Sequence, residues 1–237
     1  MSAPPADRNG ASYWLSLIEA AGLPVPDTRV VVGPPDVWRL LDGETPDGWE
    51  DLVTAVSAAG EQMGWPCFLR TAHTSGKHRW DETCWLTDPG DVVAHLVALV
   101  EDSMINDLPI GAWLIRRALD VNVLFRCAAW RGLPVTREFR VFAHGDGTIE
   151  HLQPYWPPAA FERARPDHED WRALLAEAST LRAGERDVLE DLARRAAAAA
   201  DGFWSVDLIE TRDGSWTLTD MALGEHSYRW HPSGPLG

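Results

Sequence analysis

The strongest constraint on the fold lies near the C-terminal end, where two strand-like segments flank the dipeptide Asp213-Gly214. The segments are FWSVDLIE and SWTLTDMA, and Asp-Gly between runs of alternating apolar residues is a strong signal for a β-hairpin. If this dipeptide forms a two-residue loop, residues at equal distances from it pair, and Asp207 faces Asp220. Two carboxylates that face each other in a ladder repel unless a cation or a proton lies between them.

A divalent metal ion explains the two opposed acids economically. Hard carboxylate oxygens with few histidines nearby suit Mg²⁺ that bridges to substrate phosphates better than they suit zinc. We therefore predict Asp207 and Asp220 as metal ligands. The alternative is that a β-bulge shifts the register and leaves both acids as solvated surface residues.

A second hairpin is expected around Asp146-Gly147, between the strand-like segments TREFRVFAH and TIEHLQPYW. The same geometry places Arg140 opposite Gln153 and Glu138 opposite Tyr155, which makes a polar row on one face of the sheet. Such a row, on strands whose other face is apolar, indicates a floor for a polar ligand. An ordinary solvent-facing sheet surface is the alternative.

A cationic loop follows the short apolar strand PCFLR. Arg70 ends that strand, and Lys77 comes directly after Ser75-Gly76. Two cations that flank a loop of small residues can neutralise phosphate while backbone N–H groups approach it. The spacing is not that of a Walker A motif, and one glycine with one lysine occurs in many surface turns.

The rest of the chain predicts a mixture of helices and strands. The segment WLIRR is expected to join the middle hairpin in one antiparallel sheet. Helices are predicted from apolar periodicity over residues 14–21, 52–63, 91–101, 167–177 and 185–200, and further strands over residues 28–32, 66–70 and 82–87.

Composition limits the partners and the compartment. The 237 residues are 45% hydrophobic, enough for one large core or two small lobes, and their net charge of −15 disfavours nucleic acid and anionic membrane surfaces. Three cysteines without CxxC spacing argue against a disulfide framework or a zinc ribbon and favour a reducing cytoplasm. Their apolar surroundings predict buried packing rather than nucleophilic catalysis. The start of the chain lacks the pattern of a signal peptide, and no apolar run approaches the roughly 18 residues of a membrane span.

The order and combination of these segments resembles the ATP-grasp superfamily. PCFLRTAHTSGKH is similar to its strand and phosphate-covering loop, and WLIRRALDV is similar to the hinge strand beside adenine. REFRVF followed by HLQPYW, and SVDLIE followed by SWTLTDMA, resemble its metal- and phosphate-binding sheet. The pattern is most similar to the cell-division-cycle 123 family and to a bacterial and phage ATP-grasp clade associated with predicted RNA repair and peptide modification.

The resemblance implies ATP and Mg²⁺ as ligands and gives roles to individual residues. Arg70, Lys77 and Arg140 are implied as the cations that act on the phosphates, and Asp207 and Asp220 as the magnesium carboxylates. Many relatives have Asn two residues after the second carboxylate, where this chain has Ala222; coordination is then reduced, or is completed by Glu225 or water. The implied nucleotide-binding residues are Arg70, Ser75, Gly76, Lys77, Arg116, Arg117, Ala118, Leu119, Glu138, Arg140 and Gln153.

The implied fold is α+β, an ATP-grasp fold in which two lobes with antiparallel sheets clamp a nucleotide. Residues 1–110 are expected to form the N-terminal lobe with the phosphate-covering loop, and residues 111–237 the C-terminal lobe with the metal-binding hairpin. The implied activity is that of an ATP-dependent ligase, which activates a carboxylate as an acyl phosphate for attack by an amine or similar nucleophile. The acceptor is expected to be a small molecule or a peptide.

Two other functions stay open from the sequence. One is an ATP-binding assembly factor with a protein partner, as the cell-division-cycle 123 resemblance implies, and the other is an RNA end-repair ligase, which the net charge disfavours. The C-terminal tail GEHSYRWHP carries aromatic and cationic residues that either shape an acceptor site or pack as an ordinary cap: His226, Tyr228, Arg229, Trp230 and His231.

Overall fold

The computed structural model of the chain describes residues 7–230. These residues fall into two compact units that are interleaved in sequence. The first unit comprises Pro26–Leu119 and Ala128–Leu133, and the second comprises the segment up to Val25, Asp120–Cys127 and the chain from Pro134 onward. The lobe boundary at residue 110 stays a prediction.

Helices and strands alternate along the first unit, whereas in the second unit two β-hairpins flank a pair of consecutive helices. The α-helices of the described residues are α1 (Ala11–Ala20), α2 (Trp49–Met63), α3 (Trp80–Thr83), α4 (Val92–Ile105), α5 (Trp171–Ala178) and α6 (Glu185–Ala200). The strands are β1 (Thr28–Val32), β2 (Cys67–Thr71), β3 (Trp85–Leu86), β4 (Ala112–Arg117), β5 (Phe125–Cys127), β6 (Leu133–Val135), β7 (Glu138–His144), β8 (Ile149–Pro154), β9 (Phe203–Glu210) and β10 (Trp216–Leu223).

The first unit is built on a four-stranded antiparallel sheet in the order β1-β4-β2-β3. One face of this sheet carries Leu69, Trp113 and Ile115, which share a buried core with apolar residues of α2 and α4. Because side chains alternate across a strand, Arg70 and Arg116 lie on the opposite face. Both arginines are nonetheless buried, with 5% and 4% of their surface exposed.

The second unit contains a four-stranded antiparallel sheet in the order β10-β9-β7-β8. Its apolar face carries Phe139, Val141 and Val206, all fully buried. Helix α6 contacts β7, β8 and β9, and its buried side is formed by Leu189 and four alanines, which allow close approach of helix and sheet. The other face of the sheet is therefore the one available for polar residues.

Most elements form where the sequence predicts them, with two corrections. The segment WLIRR does not join the middle hairpin: as β4 it lies between β1 and β2 in the first sheet. The segment 82–87 is a strand only at Trp85–Leu86, because Trp80–Thr83 is helical and the Thr83 hydroxyl donates to the carbonyls of Gly76 and Arg79, both at 2.8 Å. None of the helices in the described part of the chain combines the length and apolar character needed to cross a bilayer.

Candidate functional site

The closing hairpin brings the two predicted acids together. Asp207 and Asp220 are direct partners in the ladder between β9 and β10, as predicted. The loop, however, is longer than two residues: the Thr211 N–H donates to the Ser215 carbonyl at 2.9 Å, and Gly214 has φ +84°. A bulge between Leu218 and Asp220 then shifts the register by one residue. A bulge is therefore present, as in the alternative reading of the sequence, but it aligns the two acids instead of separating them.

The middle hairpin repeats this arrangement. The His144 N–H donates to the Thr148 carbonyl at 2.8 Å around a three-residue loop, and the register shifts between Phe142 and Ala143. Beyond the shift, Arg140 pairs with Gln153 as predicted. The predicted position of Tyr155 beside Glu138 is also confirmed, since the Tyr155 N–H donates to the Glu138 carbonyl at 2.9 Å.

Pairing between β7 and β9 joins the two hairpins. In this ladder Arg140 is the direct partner of Asp207. The four strands therefore carry one continuous row, Asp220, Asp207, Arg140 and Gln153, on a single face, which we call the polar row. Sequence reasoning missed this junction, because no short turn sets the register between strands so far apart along the chain.

Arg140 and Asp207 form the charged centre of the polar row. Arg140 donates from Nε and Nη2 to the two carboxylate oxygens of Asp207 at 2.7 and 2.8 Å. The side chains are only 16% and 9% exposed. Burial acts to lower the pKa of Arg140, but the Asp207 carboxylate outweighs it and the pKa lies above its ordinary value. The pair is thus an ion pair at neutral pH.

The donor set fits a Mg²⁺ ion shared with a ligand and does not fit a metal cage made by protein alone. No group of three His, Cys, Asp or Glu side chains suited to a metal occurs in residues 7–230. Mg²⁺ bound with substrate phosphates needs one or two carboxylates and keeps several waters. Asp207 and Asp220 supply two, and each Asp207 oxygen accepts one hydrogen bond from Arg140, which leaves it further accepting capacity.

Ala222 follows Asp220 by two residues on β10, so its side chain lies on the same face of the sheet as the polar row. It pairs with Ser205 on β9, and the Ser205 hydroxyl donates to the Ala222 carbonyl at 3.3 Å. A methyl group thus stands where the resemblance implies an amide ligand. Glu225 is exposed, within the 3₁₀ turn Gly224–His226, and its implied role at the metal stays a prediction.

Glu138 is held by neighbouring side chains of its own unit. One carboxylate oxygen accepts from the Thr136 hydroxyl at 2.6 Å and from the Trp156 indole N–H at 3.0 Å. The Tyr155 ring lies 5.0 Å from the Arg140 guanidinium carbon. These contacts fix the edge of the polar row and limit the rotamers that Arg140 can adopt.

The C-terminal tail crosses the polar row. The closing segment, Ser227–Trp230, places the Tyr228 carbonyl 3.3 Å from Arg140 Nη1 and 3.4 Å from Gln153 Nε2. The Trp230 N–H donates to Gln153 Oε1 at 3.0 Å. The aromatic and cationic composition of the tail predicts that the tail has a role. It does not predict that the tail binds across the polar row. His231 lies outside the described residues.

The predicted phosphate loop belongs to the first unit. The Thr71 hydroxyl accepts from the N–H groups of His73 and Thr74 at 3.2 and 3.0 Å, so the chain turns sharply after β2. Half-buried Ser75 follows, and Gly76 has φ +58° with Thr83 3.1 Å from the position a Cβ would take. Glycine is therefore favoured at that position by its backbone conformation and by the close approach of Thr83.

Arg70 and Lys77 stand at the two ends of this loop. Arg70 donates from Nε to the Thr71 carbonyl at 3.0 Å, and Lys77 begins the 3₁₀ turn Lys77–Arg79. The loop is tied to α4 by Thr74, whose hydroxyl donates to Asp102 at 3.0 Å. Contact of these cations with phosphate stays a prediction.

The end of β4 carries the residues implied at adenine. The Arg117 N–H donates to the Asp27 carbonyl at 2.9 Å, and its side chain donates to the Met63 carbonyl at 2.7 Å. Arg117 thus ties β4 to its own unit, while Ala118 and Leu119 follow half-buried. Adenine contact by residues 116–119 stays a prediction.

The cysteines are buried, as predicted. Burial raises the pKa of the Cys67 thiol to about 11 and those of Cys84 and Cys127 to about 12. Their thiolate forms are therefore scarce at neutral pH, which disfavours nucleophilic catalysis.

Comparison with known proteins gives a family. The family model that describes an ATP-grasp domain, family 3 of the R-two-K clade, matches residues 62–229. No curated protein matches the chain.

Solved structures share its fold at low identity. Cdc123 from Schizosaccharomyces pombe is 12% identical with a TM-score of 0.57, over 91% of this chain and 83% of that one. Carboxyaminoimidazole ribonucleotide synthase from Aspergillus clavatus, complexed with ATP, is 15% identical with a TM-score of 0.53, over 90% of this chain but only 44% of that one. D-alanyl-alanine synthetase A from Vibrio cholerae is 13% identical with a TM-score of 0.52, over 92% and 55%. The chain thus spans about half the length of these two synthetases.

Proposed function

The chain belongs to family 3 of the R-two-K clade of ATP-grasp domains and has the α+β ATP-grasp fold, and on that premise we propose that it is an ATP-dependent ligase. It activates a carboxylate as an acyl phosphate, which an amine or similar nucleophile then attacks. The observation that carries the proposal is the polar row, in which two carboxylates and a buried arginine lie side by side on one sheet face.

The proposed reaction requires charge neutralisation rather than a protein nucleophile. A carboxylate oxygen attacks the γ-phosphorus of ATP and ADP leaves; the amine then attacks the acyl carbon, and phosphate and a proton leave. When bound, Mg²⁺ neutralises part of the triphosphate charge. Asp207 and Asp220 would hold it, and Arg140, fixed by Asp207, would offset the charge on the transferred phosphoryl group.

Acceptor-dependent turnover tests this proposal. The purified chain is mixed with ATP, Mg²⁺ and a panel of small carboxylic acids, amino acids and short peptides, and ADP and phosphate are measured. We expect ADP release that depends on one acceptor class and is lost in Asp220→Asn. Absence of acceptor-dependent release across the panel contradicts the ligase.

Ala222 favours a second candidate, an ATP-binding assembly factor. With a methyl group in place of an amide, a bound metal would have one protein ligand fewer and would rely more on water and on the nucleotide phosphates. This candidate predicts tight binding of ATP with no acceptor-dependent ADP release, and recovery of a protein partner only when nucleotide is present. Ala222→Asn should then leave nucleotide affinity within about twofold and produce no turnover.

A further inference from the structure

The closing segment is seated on the polar row by its backbone. Its Tyr228 carbonyl accepts hydrogen bonds from Arg140 and Gln153, and the Gln153 carboxamide also accepts from the Trp230 N–H. Gln153 therefore holds the segment at two backbone positions, as a neighbouring strand holds an extended chain. The side chain of Tyr228 is 66% exposed and contributes little to this seat.

Further contacts anchor the segment, among them that of the Arg229 guanidinium carbon, which lies 4.4 Å from the centre of the Phe142 ring. The hydroxyls of Ser227 and Ser205 lie 2.6 Å apart. Arg229 donates to Glu150 at 2.7 Å, and the Trp230 indole N–H donates to the Pro154 carbonyl at 3.0 Å. The hydrogen bonds among these contacts lie at partly exposed positions, where water competes with them. The segment is thus held by bonds that a ligand can exchange.

The Tyr228 carbonyl contacts the side of the Arg140 guanidinium that Asp207 does not contact. Nε and Nη2 of Arg140 bond the carboxylate, and Nη1 bonds Tyr228. An oxygen of a phosphate or carboxylate that approaches Arg140 along the same N–H must replace that carbonyl. Because such an oxygen is negatively charged, its hydrogen bonds to Arg140 are shorter and stronger than those of a neutral carbonyl.

We propose that Arg140 Nη1 and Gln153 Nε2 form a two-donor subsite for an anionic oxygen of the bound nucleotide, and that the closing segment fills this subsite until the ligand displaces it. This inference rests on the proposed function. The closing segment is then an intramolecular competitor of the nucleotide for these two donors. If the segment is seated in nine-tenths of the molecules, it lowers the apparent affinity for the ligand by about tenfold.

A reversible disulfide that holds the closing segment in place tests whether the segment competes with ATP. In the double variant Ser205→Cys with Ser227→Cys, oxidation should form a disulfide, since the two hydroxyl oxygens already lie 2.6 Å apart. The native cysteines are buried and do not interfere. Mass spectrometry checks the bond, and calorimetry measures ATP with Mg²⁺. We expect the oxidised protein to bind ATP at least about tenfold more weakly than the same protein after reduction.

Release of the segment should act in the opposite direction. Trp230→Ala removes the indole anchor and should tighten ATP binding several-fold, whereas Trp38→Ala, at an exposed tryptophan of the first unit, should not change it. Equal ATP affinity of the oxidised and reduced protein, or ATP binding by Trp230→Ala that is unchanged or weaker, overturns the proposed competition and leaves the nucleotide site itself unaffected. If ATP binds to none of these proteins, the proposed function falls, and this subsite falls with it.

Discussion

At the scale of single residues, the pair Arg140–Asp207 is a feature with a high cost of desolvation. Both side chains are largely buried, and they form an ion pair. Removal of two charges from water is costly, and the bidentate geometry is what offsets that cost. Such a pair keeps an arginine in one orientation, ready for an anionic ligand. If Asp207 is neutralised, the arginine keeps only the weaker attraction of the Asp220 carboxylate.

Asp207→Asn should therefore destabilise the fold strongly. We expect a loss of about 3 kcal/mol in the free energy of unfolding, measured by urea denaturation, because the buried Arg140 loses its charged partner. The matched control is Glu44→Gln, which breaks an exposed ion pair with Arg39 and should cost less than about 1 kcal/mol. Similar losses for the two variants contradict the buried pair.

Asp220→Asn, in contrast, should lower the affinity for ATP without lowering the stability of the fold. This half-buried acid faces Asp207, so neutralising it relieves repulsion and should leave the melting temperature nearly unchanged. ATP affinity in the presence of Mg²⁺ should fall at least about tenfold, since the metal loses a charged ligand. Titrations with Mg²⁺ and with EDTA separate the two effects. An unchanged affinity removes Asp220 from the site.

Lys77→Ala tests the loop of the first unit. If the Lys77 ammonium contacts phosphate, ATP affinity should fall by about tenfold while adenosine affinity stays the same, because adenosine has no charge for the ammonium to meet. Both ligands are measured by calorimetry on one preparation. Equal losses for ATP and adenosine mean that Lys77 acts on the fold and not on phosphate.

At the scale of elements, the two hairpins show how far sequence reasoning extends. Asp-Gly predicts a two-residue loop in each, but both have three-residue loops with glycine at positive φ, Gly147 and Gly214. In each, a bulge in the second strand adds one residue and restores the predicted pairing. The predicted pairings at Asp207 and Arg140 are thus right although the predicted loops are wrong, since a bulge has no compositional mark.

Gly214 offers a direct test of the loop. Its φ is +84°, and nothing lies within 4 Å of the position a Cβ would take, so a substitution there costs only backbone strain. Gly214→Ala should lower the free energy of unfolding by about 1 to 2 kcal/mol. Gly214→Asn should cost less, because asparagine tolerates this region. Equal costs in urea denaturation contradict a left-handed residue at the tip.

Long-range pairing is what the sequence does not show. The strands β1 and β9 and the helix α6 match the predicted bounds, because local periodicity and turns define them. The sheet to which β4 belongs and the register of β7 on β9 depend on partners far along the chain. The seat of Trp230 on Gln153 is likewise a tertiary contact that composition does not encode.

At the scale of the whole molecule, the net charge and the local groups of a binding site act over different distances. The net charge of −15 repels any extended polyanion. A nucleotide is small, and a few local groups such as Arg140 decide its binding, since charges beyond about 8 to 10 Å are screened at physiological salt. The same chain is therefore expected to accept ATP and to reject nucleic acid.

This expectation separates the ligase from an RNA end-repair enzyme. A labelled single-stranded RNA should show no mobility shift with the chain even at about 50 mM salt, where binding through phosphates is far stronger than at physiological salt. ATP with Mg²⁺ should bind under the same conditions, which shows that the protein is active in the assay. An RNA shift that disappears as salt is raised indicates a cationic face able to overcome the net charge, and supports RNA as the substrate.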